Sequence, residues 1–511
     1  MNRNAFKIGV LLILITIPLF IVLSLHIVDI PINSSSFRDP DEVFSADRAR
    51  DITIDREGNL VITGFTYAKI FPRSNDPNPK MSDSSEVFLT KLSGTGELIW
   101  STVFGGSQRD EGNGVVADGG NNIIVTGTTR SKDLETLNAC DPSFNEGGSN
   151  AIDAFIAKFA VNGSLLWSTF LGGADLEHSN SVTVDASNNI IVVGTTYSNN
   201  FPVKDAYQSV YNGKSDAFIA KFAPNGSLIW STYFGESSID AAADAVVDRQ
   251  NNIYITGHQD HNILIAKFVE NGSLAWSMSI TSGELHEDLE QCSIVVNSEG
   301  DAIIIGTVAC DAFLTKIDGE GNQIWSTHLG GQSEEKGFHV TVDNQDDILV
   351  TGVTYSADFP TLNAFDSEYS AEVPTGEAYD NNRAPEDGDA FVSKLSSEGI
   401  LLWSTFLGGE KFDEGLGIVA DGQDNVYVTG FARSYAFPTV NAYDASHNGY
   451  SDVFISKFAA NGSVIWSTYL GGDIYQPSEG IPFLGWPIGL LTIGILVAGR
   501  KRKRKSIHLM V

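Results

Sequence analysis

Asn225-Gly-Ser-Leu-Ile-Trp-Ser-Thr-Tyr-Phe-Gly235 decides the fold, because near-copies of it run the length of the chain. The copies centre on Trp100, Trp167, Trp230, Trp276, Trp325, Trp403 and Trp466; six are followed by Ser-Thr and one, Trp276, by Ser277-Met278. A second motif precedes each tryptophan, an apolar run, a polar turn and another apolar run closing on glycine, as in Val246-Val-Asp-Arg-Gln-Asn-Asn-Ile-Tyr-Ile-Thr-Gly257. Its closing glycines, Gly64, Gly127, Gly194, Gly257, Gly306, Gly352 and Gly430, are also seven. A third motif lies between them, Asp-Ala-Phe-Ile-Ala-Lys-Phe at Asp153–Phe159 and Asp216–Phe222, with variants at Asp311–Ile317, Asp389–Leu395 and Asp452–Phe458. It alternates apolar and polar side chains, the period of a half-buried strand.

Each repeat therefore reads as four short strands, and four-stranded units repeated radially build a β-propeller. The expected fold is all-β, a seven-bladed β-propeller of four-stranded blades over residues 46–472, each blade carrying its own four strands in sequence. The connection between strands two and three changes length: it almost vanishes at 258–262 and 307–310 and grows into an acidic insertion within 353–388. Variable loops on a fixed scaffold are where recognition usually sits. Phe-Pro recurs in this connection at Phe71, Phe201, Phe359 and Phe437, which reads as an aromatic packed on the blade with a proline fixing the turn.

Val-Thr-Gly, Asp-Phe-Pro-Thr, Asp-Ala-Phe-Val-x-Lys and Trp-Ser-Thr-x-Leu-Gly-Gly together resemble the SBBP-type β-propeller repeat proteins over roughly residues 45–472. The resemblance implies the fold. That family is defined by its repeat, so it implies no single activity.

The 511 residues include 42% hydrophobic residues and 50 glycines, which suits a large, turn-rich all-β core. Against 32 basic residues stand 64 acidic ones, a net charge of -32, although Arg500–Lys505 is entirely basic. Such a field repels nucleic acid and favours counter-cations or basic partners, so no nucleic-acid partner is expected.

Residues 1–30 carry Arg3 and Lys7 before an uncharged run from Ile8 to Leu25, which suits a signal peptide or signal anchor. Residues 31–45 read as a tether and 473–480 as a linker. Residues 481–499 are apolar throughout and precede the basic tail 500–511, so a transmembrane helix is expected at each end of the propeller. The closing arrangement also resembles C-terminal sorting signals of archaeal surface proteins, which implies that the segment is cut off after export. The positive-inside rule puts the propeller outside and the basic tail in the cytoplasm.

One acid recurs at the start of each repeat: Asp47, Asp110, Glu177, Asp240, Glu335 and Asp413, with Glu287 the counterpart in blade five. Two readings stand. If first strands are innermost, seven carboxylates ring one channel mouth and attract hard cations such as calcium. Alternatively, each acid only caps its own tight Gly-Gly turn.

Glycosylation sequons occur at Asn33, Asn162, Asn225, Asn271 and Asn461; four lie in equivalent hairpins, where Asn-Gly is also a favoured turn. Of three cysteines, Cys140, Cys292 and Cys310, the last two fall at one end of a hairpin and form a candidate disulfide. His258 and His261 are the one close histidine pair. There is no Gly-x-Ser-x-Gly, His-Glu-x-x-His, phosphate-cradling glycine loop or Cys-x-x-Cys. The expected function is a cell-surface, membrane-anchored, non-catalytic module for adhesion or ligand recognition, its partners surface glycans or envelope proteins. The alternatives are a surface carbohydrate-active hydrolase or lyase, and a purely structural envelope component.

Overall fold

The computed structural model describes residues 46–68, 71, 84–145, 151–260, 262–281, 292–370 and 388–472. Both apolar terminal stretches, Asn33, His261, Glu287 and most of the blade-six insertion lie outside them. No helix among the described residues is long and apolar enough to cross a membrane.

Among the described residues twenty-eight strands, β1 to β28 in chain order, form seven four-stranded antiparallel sheets, each from four consecutive strands. The described residues form an all-β, seven-bladed β-propeller. Blade three shows the unit: β9 (Glu177–Val184), β10 (Ile190–Thr196), β11 (Asp216–Phe222) and β12 (Leu228–Phe234). The first strands of the blades are β1 (Asp47–Ile54), β5 (Asp110–Ala117), β9, β13 (Asp240–Val247), β17 (Ser293–Val296), β21 (Glu335–Val342) and β25 (Asp413–Ala420). Each packs on the next around the ring, so first strands line the axis and fourth strands form the rim.

The turn between the first two strands is made by one side chain. Asp185 Oδ1 accepts the N–H groups of Ser187 and Asn189 at 2.9 and 2.8 Å, while Asn188 takes a left-handed φ of 61°. Asparagine and aspartate tolerate that conformation and supply such Asx turns, which is why Val-x-x-Asp recurs.

The third strand departs from its pattern. Alternation predicts one solvated face, yet β11 is buried at all seven positions. Neighbouring blades cover both faces, and the polar residues are paired internally. Lys221 Nζ reaches Asp185 of its own blade at 2.9 Å, and the same pair recurs as Lys91–Asp55, Lys158–Asp118, Lys267–Asp248, Lys394–Asp343 and Lys457–Asp421. In blade five the turn residue is Asn297, and Lys316 turns to Asp301 at 3.1 Å.

On the outer side each tryptophan reaches into the next blade. Trp167 Nε1 donates to Pro224 O at 3.1 Å, and its ring lies against Gly226, where φ is +87° and a Cβ would come within 3.1 Å of the ring. Trp466 donates to Gly94 O and packs on Gly96 of blade one, so the ring closes with the same device. Among the described residues closure involves no exchanged strand; Ala46 bridges Ser451 in parallel, as Ile152 bridges Leu176 between blades two and three.

The four Phe-Pro phenylalanines are buried, and each packs on the phenylalanine of its blade's third strand, as Phe201 does on Phe218 at 4.7 Å. In blades two, three, six and seven the connection that follows strand two returns along the rim and pairs antiparallel with the fourth strand, at Leu137–Ser168, Lys204–Ser231, Leu362–Ser404 and Val440–Ser467.

Candidate functional site: the central channel

An extra residue in the first strand shapes the channel. The pairing of first and second strands shifts between Ala49 and Asp51, Gly112 and Gly114, Ala242 and Asp244, Gly337 and His339, and Gly415 and Gly417, with an equivalent shift in blade three. Such bulges re-aim side chains. They turn Arg50, Asn113, Asn180, Phe338 and Leu416 toward a cavity of about 370 Å³ on the axis.

The walls form two layers. At the mouth stand Arg50, Arg109 and Arg130 with Glu111 among them; Arg109 pairs with Glu111, and Arg50 lies 4.0 Å from it. Beside them Arg48 sits over the Phe431 ring at 4.3 Å, and Arg433 over Tyr450 at 4.6 Å. Burial lowers the Arg48 guanidinium from its ordinary value, opposed by Glu414, and burial likewise raises the Glu414 carboxyl. The buried Nε atoms of Arg50 and Arg433 have no acceptor among the described residues.

Below lies a polar waist. Asp244 accepts from Ser181 Oγ at 2.7 Å, Ser293 Oγ at 2.8 Å and the Ile294 N–H at 3.0 Å. Asp51 accepts the Val115 N–H at 2.8 Å, and His339 Nδ1 accepts that of Ile418 at 3.4 Å. Each of these side chains satisfies a backbone donor of the following blade beside its bulge. His339 Nε2 lies 3.9 Å from Asp51 Oδ1. Burial pushes the Asp51 carboxyl up to about 6, against the pull of His339.

The acids singled out in the sequence lie under the turns. Asp110, Glu177, Asp240, Glu335 and Asp413 are fully buried, and each accepts the N–H four residues before it at 2.7 to 2.9 Å. Asp47 accepts from Gly472 at 2.7 Å and joins the two ends of the ring. This is capping geometry, with no exposed oxygen. A second carboxylate flanks most of these turns from the preceding blade's third strand: a Cβ on Gly172 would meet Asp153 and Glu177 together, and one on Gly235 would meet Asp216 and Asp240. Burial raises Asp47, Asp153 and Asp413 to about 7 and Asp110, Asp216 and Asp240 to about 6. No group of three or more His, Cys, Asp or Glu among the described residues could hold a metal ion.

Asn162, Asn225, Asn271 and Asn461 are exposed on the face opposite the arginines, each accepting the N–H of its own sequon serine at 3.0 to 3.2 Å. The Cys292–Cys310 disulfide is absent. The strands register Ser293 with Ile305, which puts Cys292 beside Gly306, while Cys310 lies farther along in the next turn. Cys292 Sγ instead lies 3.5 Å from Thr256 Oγ1 and 3.9 Å from His258 Nε2. Burial pushes that thiol up to about 12 and His258 down to about 4, so the pair stays neutral and the sulfur is no nucleophile.

The arginine collar escapes a reading of the sequence, since the bulges that aim it carry no residue signature and the chain's charge points the other way. The available signal was composition: of seven described arginines, only Arg56 and Arg249 lie away from this mouth.

No family model matches the chain. It is 21% identical over 472 residues to an uncharacterized WD repeat-containing protein of Acanthamoeba polyphaga mimivirus; the match takes in 81% of this chain but only 33% of that protein. The chain thus spans about a third of the length of the curated relative it matches. Among solved structures it is similar to a Lactobacillus plantarum protein, with a TM-score of 0.43 and 9% identity over 81% of this chain and 97% of that one. Sqt1 from Chaetomium thermophilum matches with a TM-score of 0.41 and 10% identity over 82% of each chain. Likenesses of this size carry no argument about what this chain does.

Proposed function

We propose that the protein is a non-catalytic recognition module which takes an anionic group at the channel mouth. The observation that carries this reading is the pair of buried arginine Nε atoms, on Arg50 and Arg433, left without acceptors among the described residues where a chain of net charge -32 gathers five arginines. Buried guanidinium donors are costly unless met, and a carboxylate or sulfate meets them in bidentate fashion. The overall acidity does not forbid this, because at physiological salt fields between exposed charges fade over about 8 Å. Acidic surface glycans and acidic segments of envelope proteins present such groups. The apolar stretches 8–25 and 481–499 support export and anchoring, with the propeller outside and the basic tail in the cytoplasm.

The test is binding of the full chain to an array of carboxylated and sulfated glycans and acidic peptides. Arg50→Ala with Arg109→Ala should weaken any anionic ligand by about a hundredfold, from two lost charge-assisted contacts. Binding indifferent to both substitutions would refute the mouth.

One observation favours a hydrolase or lyase instead: Asp51, held at about 6 beside His339, fits a general acid–base role. Turnover of a polysaccharide that disappears in Asp51→Asn would establish that reading.

A further inference from the structure

The Ser-Thr that follows the blade tryptophan has a definite use in blades two, three, six and seven. In blade six, Leu362 and Ser404 exchange backbone hydrogen bonds at 3.1 and 2.9 Å, and the Phe406 N–H donates to Asp366 O at 3.1 Å. Thr405 Oγ1 accepts the Asp366 N–H at 2.8 Å and lies 3.0 Å from Asp366 O. Blade seven repeats this with Val440, Asp444, Ser467 and Thr468. The seated segments run Leu362-Asn-Ala-Phe-Asp366 and Val440-Asn-Ala-Tyr-Asp444, each with its asparagine at φ 48°. Beneath them the serine and threonine are essentially buried, Ser404 and Thr405 at 0% and Ser467 and Thr468 at 0% and 2%.

Blades four and five have no such segment. Their second and third strands join through two residues, Asp260-His261 and Ala309-Cys310. Their rim strands, β16 (Leu274–Thr281) and β20 (Gln323–Leu329), pair with nothing on the outer side among the described residues. The two differ in one respect. Blade four has Met278 where the threonine belongs, matching its missing segment, whereas blade five keeps Ser326 and Thr327, with Ser326 and His328 exposed.

We propose that the rim of blade five is an edge-pairing site for a segment of another protein, of the pattern apolar-Asn-Ala-aromatic-Asp. An uncharged edge strand is a template for a further strand, and main-chain pairing of this kind is an established mode of peptide capture. The sister blades show which chemistry fits it. Ser326 exchanges the backbone pair, Thr327 receives the terminal aspartate's N–H, and the aspartate falls opposite residue 328. That residue is His328, the one ionisable side chain of β20, whose ring nitrogen can donate a hydrogen bond to the carboxylate; Asp311 Oδ2 lies 3.8 Å from its Nδ1. A second copy is not the source of the segment, since the chain's own described segments of this kind are already seated on their own blades.

The probe is a labelled peptide with the sequence of residues 358–367, Asp-Phe-Pro-Thr-Leu-Asn-Ala-Phe-Asp-Ser, titrated into the full chain with anisotropy as the readout. Ser326→Pro removes the outward N–H, a change edge strands tolerate, and should abolish saturable binding. Thr327→Met, which copies blade four, should weaken it by about tenfold through the lost hydroxyl bonds. Ser277→Pro in blade four should leave it unchanged. No saturable binding to the parent chain, or binding indifferent to both Ser326→Pro and Thr327→Met, overturns the site. Self-association of the chain that Ser326→Pro abolishes also overturns it, by showing that the edge is covered by a second copy.

Discussion

Alanine at Gly226 meets two separate obstacles. The φ of +87° disfavours any Cβ, and that atom would lie 3.1 Å from the Trp167 ring, displacing the contact that ties blade two to blade three. Gly58 has a similar φ of +80° but nothing within 4 Å. Gly58→Ala should therefore cost about 1 kcal/mol, the left-handed penalty alone, and Gly226→Ala about 2–3 kcal/mol, adding local overpacking. Urea denaturation of the two variants checks this; equal losses would mean that the tryptophan contact contributes nothing. The Asn-Gly hairpin and the tryptophan are both plain in the sequence as separate signals. Their meeting is not, because the partners lie about sixty residues apart and only the blade-to-blade register brings them together.

At the scale of one element, the returning segment of blade six is held by a backbone exchange and by one threonine. Thr405→Met, the residue blade four carries at this position, removes a buried acceptor for the Asp366 N–H. It should cost about 1–2 kcal/mol and act locally. The expected outcome is faster amide exchange across residues 361–366 with little change in β21; uniform acceleration of both would show that the segment is integral to the blade. Strand order, blade number and the shrunken connections of blades four and five could all be read from motif spacing. The burial of the third strands could not. Alternation assigns Lys221 to solvent, and only its pairing with Asp185, far away in sequence, makes a buried lysine tolerable. The bulges were equally invisible, and with them the arginine collar, since an inserted residue such as Arg50 or Asn113 looks like any other strand position.

Across the whole molecule the cap acids act in sum. Carboxyls raised to about 6–7 hold protons in the folded ring that the unfolded chain, with aspartates near 3.9, has lost. Their contribution to stability is complete below the unfolded value and is lost as pH rises through about 7. The turn aspartates act oppositely: burial would raise Asp55, but the bonds from Lys91 and Asn59 hold it below its ordinary value, and Asp118, Asp185 and Asp421 behave alike. Their contribution disappears as pH falls below about 4. The melting temperature should therefore peak near pH 5 and decline toward pH 8, a trend that self-repulsion of the acidic chain reinforces. A maximum above pH 7 would contradict the raised values. The same scan with calcium and with chelator asks whether a cation can replace the protons: a calcium-dependent gain confined to the alkaline side would assign the paired carboxylates a metal.

The seam between Asp47 and Gly472 brings both ends of the ring to one spot. Tension applied through the segments that lead into residue 46 and out of residue 472 would not stretch the propeller as a whole. It would peel a single junction, the Asp47 cap and the Ala46–Ser451 bridge first and then the Trp466 stack, one small group of bonds at a time. Among the described residues this junction uses the devices of its sister junctions, and nothing covalent or exchanged reinforces it. A propeller tethered at both ends would thus behave as a clasp, yielding at its seam under modest load while the remaining blades stay closed.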